Sequence, residues 1–165
     1  MNLLAEIKSV VKDRCCIVGM GNLLKNDDAV GPYIIESVKK AVMDDHLLFN
    51  VEDAIEAYVY KIAELDCDNI IIIDAVKTDA GTGAVNFGKL DEDFEELMET
   101  LSTHRLALKM SGKIFAEYNK ETYLLGIVVD NIDFGVELSP AVRESADVLI
   151  HIITDVLNSE KGVCK

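Results

Sequence analysis

The sequence predicts an α/β fold, a three-layer αβα arrangement in which a mostly parallel, twisted sheet of about five strands is flanked by helices on both faces. Apolar runs of strand length alternate with segments of helical periodicity along the chain. Half of the 165 residues are hydrophobic, enough for a substantial core. Such alternation is typical of a parallel sheet covered on both faces. We assign residues 1–165 to a single domain, with about 158–165 as a flexible tail.

The predicted strands are apolar runs without a polar face. They cover residues 15–19, about 47–51, 70–74 and 123–129, and a shorter strand near 84–88 follows the turn DAGTG. Continuous apolar runs of this length are expected where both faces of a strand are buried.

Helical periodicity separates these strands. The first helical stripe contains Val30, Ile34, Val38 and Ala41, and the second contains Tyr58, Ile62 and Leu65. The last helix is predicted to begin with Ser139 as its N-cap and Pro140 as its first residue. The segment DEDFEELMET, residues 91–100, predicts an acidic helix that faces solvent.

The charge of the chain restricts its partners. There are 30 acidic and 16 basic residues, a formal net charge of −14, which disfavours nucleic acids and anionic membranes. A cation or a basic protein segment is the partner that this charge favours. None of the four cysteines forms a CxxC motif, and the first 16 residues carry five charges, so we expect no disulfide framework, no signal peptide and a cytoplasmic location.

Acidic residues follow several of the predicted strands. Asp27 and Asp28 lie in the loop after the first strand, Asp74 ends the run NIIIID, and Asp130 follows the last strand. Because ligands gather at the carboxyl ends of parallel strands, these side chains should share one edge of the sheet. The loop GMGNLLKNDDAVG has Leu24 where a dinucleotide-binding loop has its third glycine, and its acids would repel a pyrophosphate. Helix capping accounts for one acid of the pair, but not for both.

His104 could complete a metal site with two of these acids. Ser102 or Thr103 is a plausible N-cap, which would put His104 in the first turn of a helix, where the helix dipole favours a neutral imidazole. Two carboxylates and an imidazole suit zinc, nickel or iron better than calcium. A solvent-exposed histidine without function is the alternative, and it is the interpretation that we give to His46 and His151.

With these residues identified, the sequence resembles the nickel–iron hydrogenase maturation endopeptidases over nearly its whole length. The resemblance depends on four segments in order: GMGNLLKNDDAVG, IIIIDAV, STHRLAL and FGVELSPAV. The loop and the closing ELSPAV look most like archaeal members, including those that serve coenzyme F420-reducing hydrogenases. Family members remove a C-terminal extension from the hydrogenase large-subunit precursor after nickel has been inserted.

The resemblance implies roles for individual residues. Asp28, Asp74 and His104 match the residues of the family's metal-recognition site, so they are the predicted catalytic and metal-binding residues, and Asp27 becomes a helix cap or a partner of the loop. The nickel is implied to arrive with the precursor, and zinc or cadmium could take its place in crystals. The segment EDAIEA keeps only Asp53 and Glu56 of the family's substrate-recognition patterns, so the resemblance implies these two as the substrate-recognition residues.

Two other functions remain open at this point. A phospho-receiver signalling domain also has an acidic pair after its first strand and an acceptor aspartate at the end of its third. In this chain Asp28 lies about nine residues beyond the first strand and no Lys-Pro follows LLGIVV, which argues against a receiver. A nickel-binding maturation chaperone without peptidase activity could use the same three ligands.

Overall fold

The computed structural model describes residues 2–91 and 104–163 of the chain. Its helices are α1 (Leu3–Lys12), α2 (Val30–Ala41), α3 (Val59–Ala63), α4 (Arg105–Glu117) and α5 (Pro140–Val163). Its strands are β1 (Cys15–Met20), β2 (Leu48–Glu52), β3 (Asn69–Val76), β4 (Val85–Lys89) and β5 (Glu121–Val128). Short 3₁₀ turns, Asn26–Ala29 and Ile55–Ala57, precede α2 and α3.

The five strands form one sheet in the order β2-β1-β3-β5-β4. The first four strands in this order are parallel, and β4 pairs antiparallel with β5 at one edge. Each predicted strand is present, and no end is shifted by more than two residues. The predicted αβα fold with a mostly parallel sheet is therefore confirmed.

Both faces of the sheet are covered by helices, which explains the unbroken isoleucine run of β3. Ile71 and Ile73 pack in a core with residues of α1, α2 and α5, whereas Ile70 and Ile72 pack with residues of α3 and α4. Successive side chains of a strand point to opposite faces, so a strand between two helical layers must be apolar at every position.

The two ends of the chain differ from the prediction. Helix α1 was not predicted; Asn2 caps it, with its Oδ1 accepting a hydrogen bond from the N–H of Ala5 at 2.8 Å. Helix α5 continues to Val163, past residue 158, near which the predicted flexible tail begins. Leu157 packs against the core and the Nδ2 of Asn158 donates to the carbonyl of Ala41 at 3.3 Å, which holds this end of α5 against α2.

Two further predictions concern helices. The predicted acidic helix, residues 91–100, lies outside the described residues except for its first position.

None of the helices in the described part of the chain has the length and apolar character needed to cross a membrane.

Candidate functional site

The start of α2 lies very close to the backbone of β1 and β3. A Cβ atom on Gly31 would lie 2.5 Å from the carbonyl oxygens of both Met20 and Ile73, which is closer than real Cβ atoms approach. A Cβ on Gly19 would likewise lie 2.5 Å from the carbonyl oxygen of Gly31. Glycine at both positions therefore allows the turn Asn26–Ala29 to rest against the carboxyl ends of these strands.

Asp28 lies in this turn and is buried. Its Oδ2 accepts a hydrogen bond from the N–H of Asn22 at 2.8 Å, so the loop after β1 folds back over the carboxylate. Gly21 allows this fold, because it has a φ of +151° and a Cβ there would clash with the carbonyl oxygen of Asp28. The backbone of the loop thus fixes the direction of the Asp28 side chain.

Asp74 lies on β3, on the face where Ile70, Ile72 and Val76 contribute to the core. Its side chain is fully buried, so its charge requires polar partners. Oδ1 accepts a hydrogen bond from the N–H of Ala75 at 2.9 Å, and Oδ2 lies 3.3 Å from Nδ1 of His104. The Ala75 amide and the His104 imidazole are thus among the polar partners of an aspartate on an otherwise apolar face.

The structure brings Asp28, Asp74 and His104 together. One potential ligand atom from each lies within 4.8 Å of the other two. Donors around a zinc-sized ion lie within about 4.2 Å of each other, because each metal–ligand bond is about 2.1 Å long. The three side chains are therefore close to the spacing that one divalent ion requires, and three ligands would leave coordination positions open for water or a substrate group.

Asp27 has a different role from its neighbour. Helix α2 has no side-chain hydrogen bond at its N-cap, Ala29, so the prediction that Asp27 caps this helix is wrong. The buried carboxylate instead accepts hydrogen bonds from Ser139, from its N–H at 2.6 Å and from its hydroxyl at 2.7 Å. The N–H groups of Asp130 and Asn131 lie 3.4 and 3.3 Å from its Oδ2. Asp27 thus ties the acidic turn to the segment that leads into α5.

The position of His104 and the direction of its pKa shift also differ from the prediction. Helix α4 begins at Arg105, so His104 immediately precedes it, and the proposed caps Ser102 and Thr103 lie outside the described residues. The hydrogen bond with Asp74 raises the pKa of His104 above its ordinary value of 6.5, although burial of the ring opposes this change. The negative charges of Asp74, Asp28 and Asp53 raise it further. The direction of this pKa shift is opposite to the one that the helix dipole alone was expected to give.

The raised pKa of His104 predicts that stability depends on pH in the metal-free protein. A histidine with a raised pKa in the folded state stabilises that state below its unfolded pKa, and this contribution disappears as the pH rises through the folded value. We expect His104→Ala to lower the free energy of unfolding more at pH 6 than at pH 9, as measured by urea denaturation. His46→Ala is the matched control, since His46 contacts Asp44 in an exposed loop. An equal loss at both pH values for His104→Ala would contradict the assigned pairing.

The other predicted residues lie around this cluster. Asp53 is exposed directly after β2, and its charge is close enough to affect the pKa of His104. Glu56 is exposed in the turn Ile55–Ala57, and Asp130 is exposed shortly after β5. Sequence reasoning missed the contact of Ser139 with Asp27, because these two residues are 112 positions apart and no local pattern connects them.

Comparison with known proteins identifies relatives of this chain. A family model described as hydrogenase maturation protease, HycI, matches residues 32–156. A protein of Methanocaldococcus jannaschii with a provisional assignment as a hydrogenase maturation protease is 29% identical over 168 residues, 96% of this chain and 96% of its own. The hydrogenase 2 maturation protease of Escherichia coli is 24% identical over 156 residues, 91% of this chain and 93% of its own.

A solved structure supports the same relationship. The crystal structure of a NiFe hydrogenase maturation protease, HycI from Thermococcus kodakarensis, matches with a TM-score of 0.79 and 26% identity, covering 93% of this chain and 99% of that one. The family-model match includes Asp74 and His104 and begins after Asp28. With its family model covering most of the sequence and its fold shared with this relative, the chain belongs to the hydrogenase maturation protease family, and it is a peptidase.

Proposed function

We propose that this chain is an endopeptidase that removes the C-terminal extension of a nickel–iron hydrogenase large-subunit precursor after nickel has been inserted. Asp28, Asp74 and His104 would recognise the nickel that the precursor carries. The precursor of a coenzyme F420-reducing hydrogenase is the first candidate substrate, because the loop and the closing ELSPAV motif resemble archaeal members of the family.

The observation that carries this proposal is the spacing of the three side chains, whose potential ligand atoms lie within 4.8 Å of one another. The two carboxylates and the imidazole come from three segments that are far apart in the sequence. Their chemistry suits nickel as well as zinc or iron. A nickel ion with open coordination positions could therefore be shared between the precursor and this site.

Recognition of nickel would make cleavage conditional on metal insertion. The ion would hold the precursor on the protease. The scissile peptide lies near the ion, so it would be kept close to the catalytic residues. Without nickel this part of the binding energy is absent, so the precursor would not be positioned for reaction. Hydrolysis then adds water to the peptide carbonyl carbon and breaks the C–N bond, leaving a carboxylate and an amine.

The receiver-domain alternative agrees less well with the fold. Doubly wound receiver domains of the CheY type have the strand order 2-1-3-4-5 in a parallel sheet. In this chain β5 lies inside the sheet and β4 pairs with it antiparallel at the edge. The strand after β3 in sequence is therefore not the neighbour of β3 that a receiver requires.

The proposal can be tested by mass spectrometry of a large-subunit precursor before and after incubation with this protein. We expect the nickel-loaded precursor to lose its C-terminal extension and the nickel-free precursor to keep it. A nickel-loaded precursor that binds but keeps its full mass would indicate a chaperone instead. Equal cleavage of both forms would contradict recognition of nickel, although it would leave the peptidase assignment intact.

A further inference from the structure

Four large apolar side chains are exposed in the loops that follow β1 and β5. Leu23 and Leu24 are 44% and 60% exposed, and Phe134 and Val136 are 86% and 79% exposed. All four lie within two residues of a β-bridge between Lys25 and Gly135 that joins their two loops. Single exposed apolar residues need no explanation, but a group of this kind on two joined loops is typical of an interaction site. We call these four residues the rim patch.

The backbone that presents the rim patch is held by many hydrogen bonds. The N–H of Asn26 donates to the carbonyl of Gly135 at 3.0 Å, and the N–H of Gly135 donates to the carbonyl of Leu24 at 2.9 Å. The side chain of Asn26 donates to the carbonyl of Asp133 at 3.0 Å and accepts from the N–H of Glu137 at 3.2 Å. These loops are therefore already ordered, so a partner that binds here pays only a small entropic cost for ordering them.

The two loops that carry the rim patch are hydrogen-bonded to the acidic turn of Asp27 and Asp28. Leu23 and Leu24 belong to the same loop as Asp28, and the N–H of Asn22 donates directly to the Asp28 carboxylate. The loop of Phe134 is connected to the neighbouring Asp27 through the N–H groups of Asp130 and Asn131. A protein that presents a metal ion to Asp28 would consequently meet the rim patch with its adjoining surface.

The charges around the rim patch indicate what that surface should contain. Asp130, Asp133 and Glu137 are exposed in the loop that carries Phe134 and Val136. The complementary surface is an apolar depression bordered by lysine or arginine side chains, since opposite charges at an interface favour encounter and orientation. Aromatic side chains, Phe included, are enriched in protein–protein interfaces relative to the rest of the surface.

We propose that the rim patch docks the large-subunit precursor, with Phe134 and Leu24 entering an apolar depression that is bordered by basic side chains beside the precursor's nickel. This inference rests on the proposed function. Binding through the patch would be the same in the ground state and the transition state, so it would determine the KM for the precursor and leave kcat nearly unchanged.

The test compares cleavage of the nickel-loaded precursor by the wild-type protein and by the double variant Phe134→Ala with Leu24→Ala. We expect KM to rise at least about tenfold and kcat to change less than about twofold. Met43→Ala is the matched control, because Met43 is 94% exposed in the loop that joins α2 to β2, at the opposite end of the sheet. This control should cleave like the wild type.

The outcomes separate the two proposals. Failure of the wild-type protein to cleave would overturn the proposed function, whereas cleavage by the double variant with an unchanged KM would overturn only the docking proposal. Sedimentation velocity gives a second readout. A wild-type dimer that the double variant abolishes would assign the rim patch to a second copy of this chain and would also overturn docking of the precursor.

Discussion

His104→Ala is expected to reduce cleavage of the nickel-loaded precursor on the order of a thousandfold, the scale on which loss of a positioned catalytic group acts. The substitution removes the imidazole from a cluster in which it lies 3.3 Å from Asp74 and leaves two carboxylates without a nitrogen donor. The two remaining carboxylates would bind the nickel weakly, and the scissile peptide would no longer be positioned for hydrolysis. Single-turnover cleavage followed by mass spectrometry measures the effect.

His46→Ala is the matched control for this experiment. The two histidines are similar because each imidazole lies beside an aspartate, but the pair of His46 and Asp44 is exposed in the loop before β2. His46→Ala should therefore cleave at the wild-type rate. Normal cleavage by a folded His104→Ala protein, as judged by circular dichroism, would contradict the assignment of the site.

Asp27→Ala is expected to lower the free energy of unfolding by roughly 3 kcal/mol, because a buried carboxylate that accepts several hydrogen bonds is lost. The N–H and hydroxyl of Ser139 would lose their acceptor, and the acidic turn would lose its connection to the start of α5. Urea denaturation measures this loss. Cleavage should fall as well, since Asp28 lies in the same turn.

Asp45→Ala provides the comparison for Asp27→Ala, since Asp45 is exposed in the loop that follows α2. Its effect on the free energy of unfolding should stay within about 0.5 kcal/mol, as for most surface substitutions. If Asp27→Ala lowers the free energy of unfolding by less than about 1 kcal/mol, the contact with Ser139 contributes little to the stability of the fold.

Much of the fold could be predicted because it depends on local patterns. The isoleucine run of β3 and the stripe of Val30, Ile34 and Val38 bury their side chains as expected. Helix α1 was missed although Ile7 and Val11 are spaced for one helix face and are buried, so its local pattern was as clear as that of α2. The length of α5 was also not predicted, because Leu157 and Asn158 are held by contacts with residues that are distant in the sequence.

The candidate site was predictable in part for a topological reason. Parallel strands bring their carboxyl ends to one edge, so the position of Asp74 and of the acidic loop followed from the strand pattern alone. The charge of His104 did not follow, because the pKa of an imidazole depends on the carboxylates that surround it in space. The burial of Asp74 among apolar side chains and its contact with His104 were likewise visible only in the folded chain.

The sequence by itself determined the sheet, its two helical layers, and the group of acids at one edge. It could not distinguish Asp27 from Asp28 by residue type, and only the resemblance to a family selected Asp28. The tertiary structure distinguishes the two aspartates. Ser139 donates hydrogen bonds to the carboxylate of Asp27, whereas the carboxylate of Asp28 lies beside Asp74 and His104. Two neighbouring aspartates have the same chemistry, and the residues that the folded chain brings to each of them give one a structural role and leave the other available for an ion.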